Sequence, residues 1–141
     1  MKYLLLVSHG KLADGLADAL KMLVGPKEEV LSCGLQDGQS VDEFAENFSV
    51  LINDIPENSE VVLLGDIIGG SPLTTAMTLL TEKGLAEKLS VIGGMNLPLA
   101  VTTALMKDSL TREELVRQVT SEAKEALKEF QLVKEDLEDE I

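Results

Sequence analysis

The chain has 141 residues, a net charge of −13, 45% apolar and only 3% aromatic residues. That length suits one domain able to bury roughly two-thirds of its unfolded surface, with a core drawn from Leu, Val, Ile, Ala and Met. The excess of 25 acidic over 12 basic residues offers no basic stripe for nucleic-acid phosphates and works against docking on an anionic membrane.

Tyr3 to Val7 is a short, continuously apolar run, read as a strand buried on both faces. It is too short for a signal peptide, and Ser8, His9 and Gly10 stand where a small-residue cleavage site would follow. No run approaches the ~20 apolar residues that cross a bilayer, so a cytoplasmic protein is expected. From Lys11 the period becomes helical, with Leu12, Leu16, Ala19, Leu20 and Leu23 on one face, until Gly25-Pro26 stops it. Glu29 to Cys33 reads as a second strand. Ser40 and Glu43 form a capping box, opening a helix that is expected to carry Val41, Phe44, Phe48, Leu51 and Ile52 inward.

Glu60 to Asp66 is the third strand and Gly69-Gly70 a tight turn. Ser71-Pro72 reads as an N-cap followed by proline at the first helical position, in a helix running to about Lys83. Leu89 to Ile92 is the fourth strand, followed by Gly93-Gly-Met-Asn-Leu-Pro98 and a helix to about Lys107. Thr111 and Glu114 make a second capping box before a last helical pattern. This β-α alternation with short connections argues an α/β fold, a parallel sheet with helices on both faces. Residues 1–133 are expected to form the single domain, with an acidic tail over 134–141.

One cysteine, Cys33, and one histidine, His9, exclude an internal disulfide and a Cys/His zinc site within the chain; Cys33 reads as a small apolar residue. In an open parallel sheet, ligands bind beyond the carboxyl ends of the strands, where the strand order reverses. Three polar, glycine-rich segments end strands there: Ser8-His9-Gly10, Asp66-Ile-Ile-Gly-Gly-Ser71 and Gly93-Gly-Met-Asn96. With the first and third strands adjacent, as in a 2-1-3-4 order, His9 and Asp66 share one crevice. Asp66 accepting the N–H of one ring nitrogen would fix the tautomer and aim the other outward. Ser71 and the first amides of its helix would supply donors for phosphoryl oxygens, with Gly69 and Gly70 letting the backbone come close. Each feature also has a plain structural reading: a surface histidine, an aspartate capping a loop amide, a turn before a capped helix, and Asn96 starting another.

The segments Ser8-His9-Gly10-Lys-Leu-Ala-Asp-Gly15, Gly65-Asp-Ile-Ile-Gly-Gly-Ser-Pro72 and Gly94-Met-Asn-Leu-Pro98 together resemble the IIA components of the mannose class of the bacterial sugar phosphotransferase system, over about residues 1–130. The resemblance implies a flavodoxin-like sheet, a phosphorylatable histidine at His9, an aspartate that bonds it at Asp66, and a serine near the phosphoryl group at Ser71. Ser8, Gly10, Met95 and Asn96 then line the site, and no cofactor or metal takes part. It also implies HPr as donor, a IIB component as acceptor on a separate chain, and membrane IIC and IID subunits reached only through the system. A homodimer exchanging a C-terminal strand is implied too, and Glu125–Gln131 is where that strand aligns, against a helical pattern in the residues themselves. A similar domain serves a phosphotransferase-dependent dihydroxyacetone kinase. Two other readings fit less well. A flavodoxin-like binding module would hold FMN or another anion in the same crevice, but a flavin wants aromatics to stack on its ring; a phosphohistidine hydrolase wants an Arg before His9, where Ser8 stands, and a second histidine.

Overall fold

Four strands, β1 (Lys2–His9), β2 (Val30–Leu35), β3 (Glu60–Gly65) and β4 (Leu89–Ile92), form one parallel sheet in the order β2-β1-β3-β4. The structure is a computed structural model describing residues 2–132, and the acidic segment 134–141 lies outside the described residues. Five helices connect and flank the strands: α1 (Leu12–Val24), α2 (Val41–Ile52), α3 (Ser71–Glu82), α4 (Leu97–Met106) and α5 (Arg112–Glu125). This is the flavodoxin-like arrangement expected from the sequence. None of the described helices is long and apolar enough to cross a membrane.

Alternation along the central strands divides the core in two. Leu4, Leu6, Val62 and Leu64 face α1, α4 and α5 through Leu16, Leu20, Leu99, Ala100, Leu115 and Val119. Leu5, Val7, Val61 and Leu63 face α2 and α3 through Phe44, Phe48, Leu73, Ala76 and Leu80. Phe44 and Phe48, one helical turn apart, stack with ring centroids 6.0 Å apart. Both capping boxes form: the Ser40 and Thr111 side chains accept from the Glu43 and Glu114 amides, and each glutamate reaches back to its cap.

The phases of two helices differ from expectation. In α1 the buried side chains are Ala13, Leu16 and Leu20, while Leu12 and Leu23 face outward. Leucines on two neighbouring stripes satisfy the same helical spacing, and the close approach of α1 to the sheet selects the stripe that carries the small Ala13. Val41, on the first turn of α2, is likewise exposed. The helical pattern runs to Glu125, and beyond it the chain is irregular from Leu127 to Leu132, with no strand at Glu125–Gln131 within the single chain.

Candidate functional site

The chain steps from β1 to β2 on one side and then returns to place β3 on the other. The carboxyl ends of β1 and β3 therefore flank the point at which the strand order reverses. The last register pair there is Val7 with Gly65. His9 is the final residue of β1 and Asp66 the first residue past β3, so their side chains meet at the rim. One oxygen of Asp66, Oδ2, accepts from both the backbone N–H of His9 and its ring nitrogen Nδ1, each at 2.8 Å. The other, Oδ1, accepts from the Ile67 N–H at 2.8 Å.

The electrostatics fix the tautomer. Burial pushes the Asp66 carboxyl upward, but the backbone and ring hydrogen bonds from His9 and the Ile67 amide outweigh it and hold the group below its ordinary value. An ionised carboxylate only accepts hydrogen bonds, so in the neutral ring Nδ1 is the protonated nitrogen and Nε2 carries the lone pair. The Asp66 side chain is 11% exposed and that of His9 is 49% exposed. The carboxylate is thus the shielded partner of a half-exposed ring.

The neighbouring loops are locked around this pair. Gly10 adopts φ +60°, its N–H donates to Leu35 O at 2.7 Å, and Gln36 Nε2 donates to Gly10 O and Gly34 O at 3.2 and 3.3 Å. A side chain at Gly34 would collide with the Gly10 carbonyl oxygen, so the last turn of β2 has to be bare. Gly94 and Met95 donate their amides to Asp66 O and Gly65 O at 3.1 and 3.0 Å, clamping the β4–α4 loop onto the end of β3. Ending the second strand at Cys33 misses Gly34 and Gln36; β2 runs on to Leu35, and a glycine inside a strand signals close backbone approach.

The expected site residues separate into three groups. His9 and Asp66 are bonded, and Gly70 lies against the ring: a Cβ built on it would sit 2.9 Å from His9 Cε1. Ser71 is exposed at the first position of α3 rather than at its cap, which is Gly70, and no side chain caps that helix. Pro72 has no N–H and the Thr74 N–H donates to Gly70 O at 3.1 Å, so Ser71 and Leu73 carry the first-turn amides that no side chain caps. Gly69 provides the turn, at φ +88°. Ser8 is fully buried, its Oγ accepting from the Ala13 N–H at 2.7 Å, so it anchors α1. Met95 is a core residue packed among the α1, α4 and α5 side chains, and Asn96 caps α4 by accepting from the Leu99 N–H at 2.8 Å. Met95 reaches the rim only through its amide, on Gly65 O, whereas the Asn96 side chain and carbonyl are spent on α4.

The parallel sheet of order β2-β1-β3-β4, with a carboxylate-backed imidazole at its switch point, defines a flavodoxin-like α/β domain with a polar site at the rim of the sheet. A family model described as the PTS system fructose IIA component matches residues 3–120. The fructose-specific EIIA component of Bacillus subtilis is 25% identical over 130 residues, covering 92% of this chain and 85% of that protein. The mannose-specific EIIAB component of Escherichia coli is 28% identical over 122 residues; they cover 86% of this chain and 37% of that longer protein. The mannose/sorbose-specific IIA subunit from Enterococcus faecalis superposes with a TM-score of 0.79 at 23% identity, over 95% of this chain and 98% of that one. The chain belongs to the mannose-class IIA family of the sugar phosphotransferase system, and its role is that of a phosphoryl carrier within such a system.

Proposed function

We propose that His9 is the residue that carries the phosphoryl group, receiving it on Nε2 from HPr and passing it to a IIB component in the cytoplasm. The observation that carries this reading is the 2.8 Å bond between His9 Nδ1 and Asp66 Oδ2, which leaves Nε2 of the neutral ring as the nitrogen with a free lone pair. In the first step the Nε2 lone pair attacks phosphorus, and the bond from phosphorus to its donor atom on HPr breaks as the new bond forms. Positive charge develops on the ring and is balanced by Asp66, whose position does not have to change during the step. The phosphoryl oxygens meet the Ser71 hydroxyl and the uncapped amides of the first turn of α3, at the positive end of that helix. The second step reverses the roles, with His9 as leaving group. Catalysis of this kind asks for in-line placement and charge balance more than for covalent chemistry.

The IIB acceptor is supported by the E. coli relative, named as an EIIAB component. Pairing into a homodimer, with the segment after α5 exchanged, is supported by the exposure of Leu127, Phe130 and Leu132 beyond that helix. Strand β4 has a sheet neighbour on one side only, and association with IIC and IID follows through the IIB partner. Incubation with enzyme I, HPr and phosphoenolpyruvate is expected to add one acid-labile phosphate per chain, and His9→Ala to abolish it. Labelling that survives this substitution refutes the assignment.

A further inference from the structure

Gly69 and Gly70 are adjacent, but they are glycine for different reasons. Gly69 holds φ +88°, a conformation that strains any L side chain. Gly70 has φ −79° and ψ 157°, ordinary extended backbone open to any residue. Nothing in its conformation explains the missing side chain. What a side chain at 70 would meet is the imidazole: an ideal Cβ would lie 2.9 Å from His9 Cε1 and 3.7 Å from Nε2, but 3.4 Å from Ile67 O, the only backbone atom among its three nearest.

Cε1 sits between the two ring nitrogens, so pressure there acts on both. Pushing the ring away draws Nδ1 off Asp66 Oδ2, and the added methyl also takes up room beside the lone pair of Nε2. The ring is the end of a half-exposed side chain, whereas the turn carrying Gly70 is tied down. The Gly70 N–H donates to Ile67 O at 3.3 Å, and Gly70 O accepts from the Thr74 N–H at 3.1 Å. The ring is therefore the part that yields.

We propose that Gly70 is a positioning residue: the space left by its missing side chain seats the His9 ring, keeping Nδ1 on Asp66 and the approach to Nε2 open. This rests on the reading of His9 as phosphoryl acceptor and adds a steric element to it. The role differs from that of Asp66, which supplies charge and a hydrogen bond. It differs too from that of Gly69, which supplies a backbone conformation.

The test compares Gly70→Ala with Gly69→Ala. His9 is the only histidine in the chain, so 15N spectra report its ring nitrogens without overlap. The wild type is expected to show a protonated Nδ1 and a bare Nε2. Gly70→Ala is expected to keep the wild-type circular dichroism and urea midpoint. Its ring signals should move toward the averaged tautomers of free imidazole, and phosphate uptake should slow about tenfold, as when an orienting partner is lost. Gly69→Ala is expected to lower the urea midpoint instead. A folded Gly70→Ala with wild-type ring signals or wild-type uptake overturns the proposal, and so does a Gly70→Ala that fails to fold, since that would make the glycine a backbone requirement. If the wild type itself takes up no phosphate, the carrier reading fails, while the ring signals still decide whether Gly70 seats the imidazole.

Discussion

Charged hydrogen bonds stand at both ends of the sheet and are finished in opposite ways. At the amino end, Lys107, just past α4, is fully buried, and its Nζ donates to Glu29 Oε2 at 2.8 Å and Asp108 Oδ2 at 2.9 Å. Beside it, Lys2 Nζ reaches Leu110 O and Glu60 Oε2 at 2.8 and 2.9 Å. Each cation there is shared between acceptors, and the cluster ties α4 and the start of α5 to the first residues of the strands. At the carboxyl end it is the carboxylate that is shared. Asp66 takes three donors, while the imidazole it holds spends one nitrogen and keeps the other. A cluster in which every charge is paired locks a fold; one that leaves a ring nitrogen unspent keeps an atom for chemistry.

The comparison breaks most sharply at Lys107. Lys107→Ala leaves two carboxylates facing a space that a cation filled, and is expected to cost about 3 kcal/mol, the low end for breaking a buried pair because Asp108 is open to water. Urea denaturation measures this, and phosphate uptake by the folded protein should be unchanged, since the cluster lies at the opposite end of the sheet. The pH dependence sharpens it. The hydrogen bond from Lys107, joined by one from its own backbone, holds the Glu29 carboxyl below its ordinary value against the opposing effect of burial. A depressed folded value means that Glu29 contributes stability above the carboxyl range of the unfolded chain and loses it as the pH falls through the folded value. Glu29→Gln should therefore weaken the protein at neutral pH and flatten its acid limb.

At the other end Asp66→Asn is expected to act on rate more than on fold. An amide has one accepting oxygen, so it cannot serve the His9 backbone, the His9 ring and the Ile67 amide together. If its NH2 turns toward the ring, Nδ1 must become the acceptor and Nε2 takes the proton, the wrong tautomer for attack on phosphorus. Phosphate uptake should slow roughly 10- to 100-fold, with about 1–3 kcal/mol lost in stability for the backbone donor left unpaired. A rate equal to wild type removes Asp66 from the chemistry and leaves it as a loop cap.

These two ends were unequally legible in the sequence. The alternation of apolar runs and capped helices, with Ser40-Glu43 and Thr111-Glu114 at their starts, sufficed for the order of elements, and glycine-rich segments after the strands marked the reactive rim. Lys107 left no trace, because a lysine at a helix end reads as solvated and is almost never fully buried. Its burial follows from the position of Glu29, 78 residues away. Ser8 was legible only as a neighbour of His9, and its bond to Ala13 depends on how α1 folds back. Leu12 and Leu23 fitted the helical period as well as the true inner face, since periodicity reports spacing and not which of two adjacent stripes meets the sheet. Ser71 was displaced by one residue from the expected cap, within the usual uncertainty of helix boundaries, and that displacement bears on function.

As a cap, Ser71 would have spent its oxygen on an amide of α3, and Ser71→Ala would have cost the helix about 1 kcal/mol. As the first residue of α3, exposed and following a glycine cap, it closes no amide of its own helix. Ser71→Ala is therefore expected to leave the urea midpoint within about 0.5 kcal/mol of wild type. Phosphate uptake should slow only about fivefold, the worth of one hydrogen bond of about 1 kcal/mol to the transferring group. Rapid-quench measurement of uptake and of onward transfer resolves an effect of that size. Equal slowing of both steps would mean that the hydroxyl contacts the phosphoryl group in each transition state. Slower onward transfer with unchanged uptake would place its contact on the protein that receives the phosphate. A full cap-sized loss of stability would return Ser71 to the helix and leave the open amides of α3 as the donors to the phosphoryl oxygens.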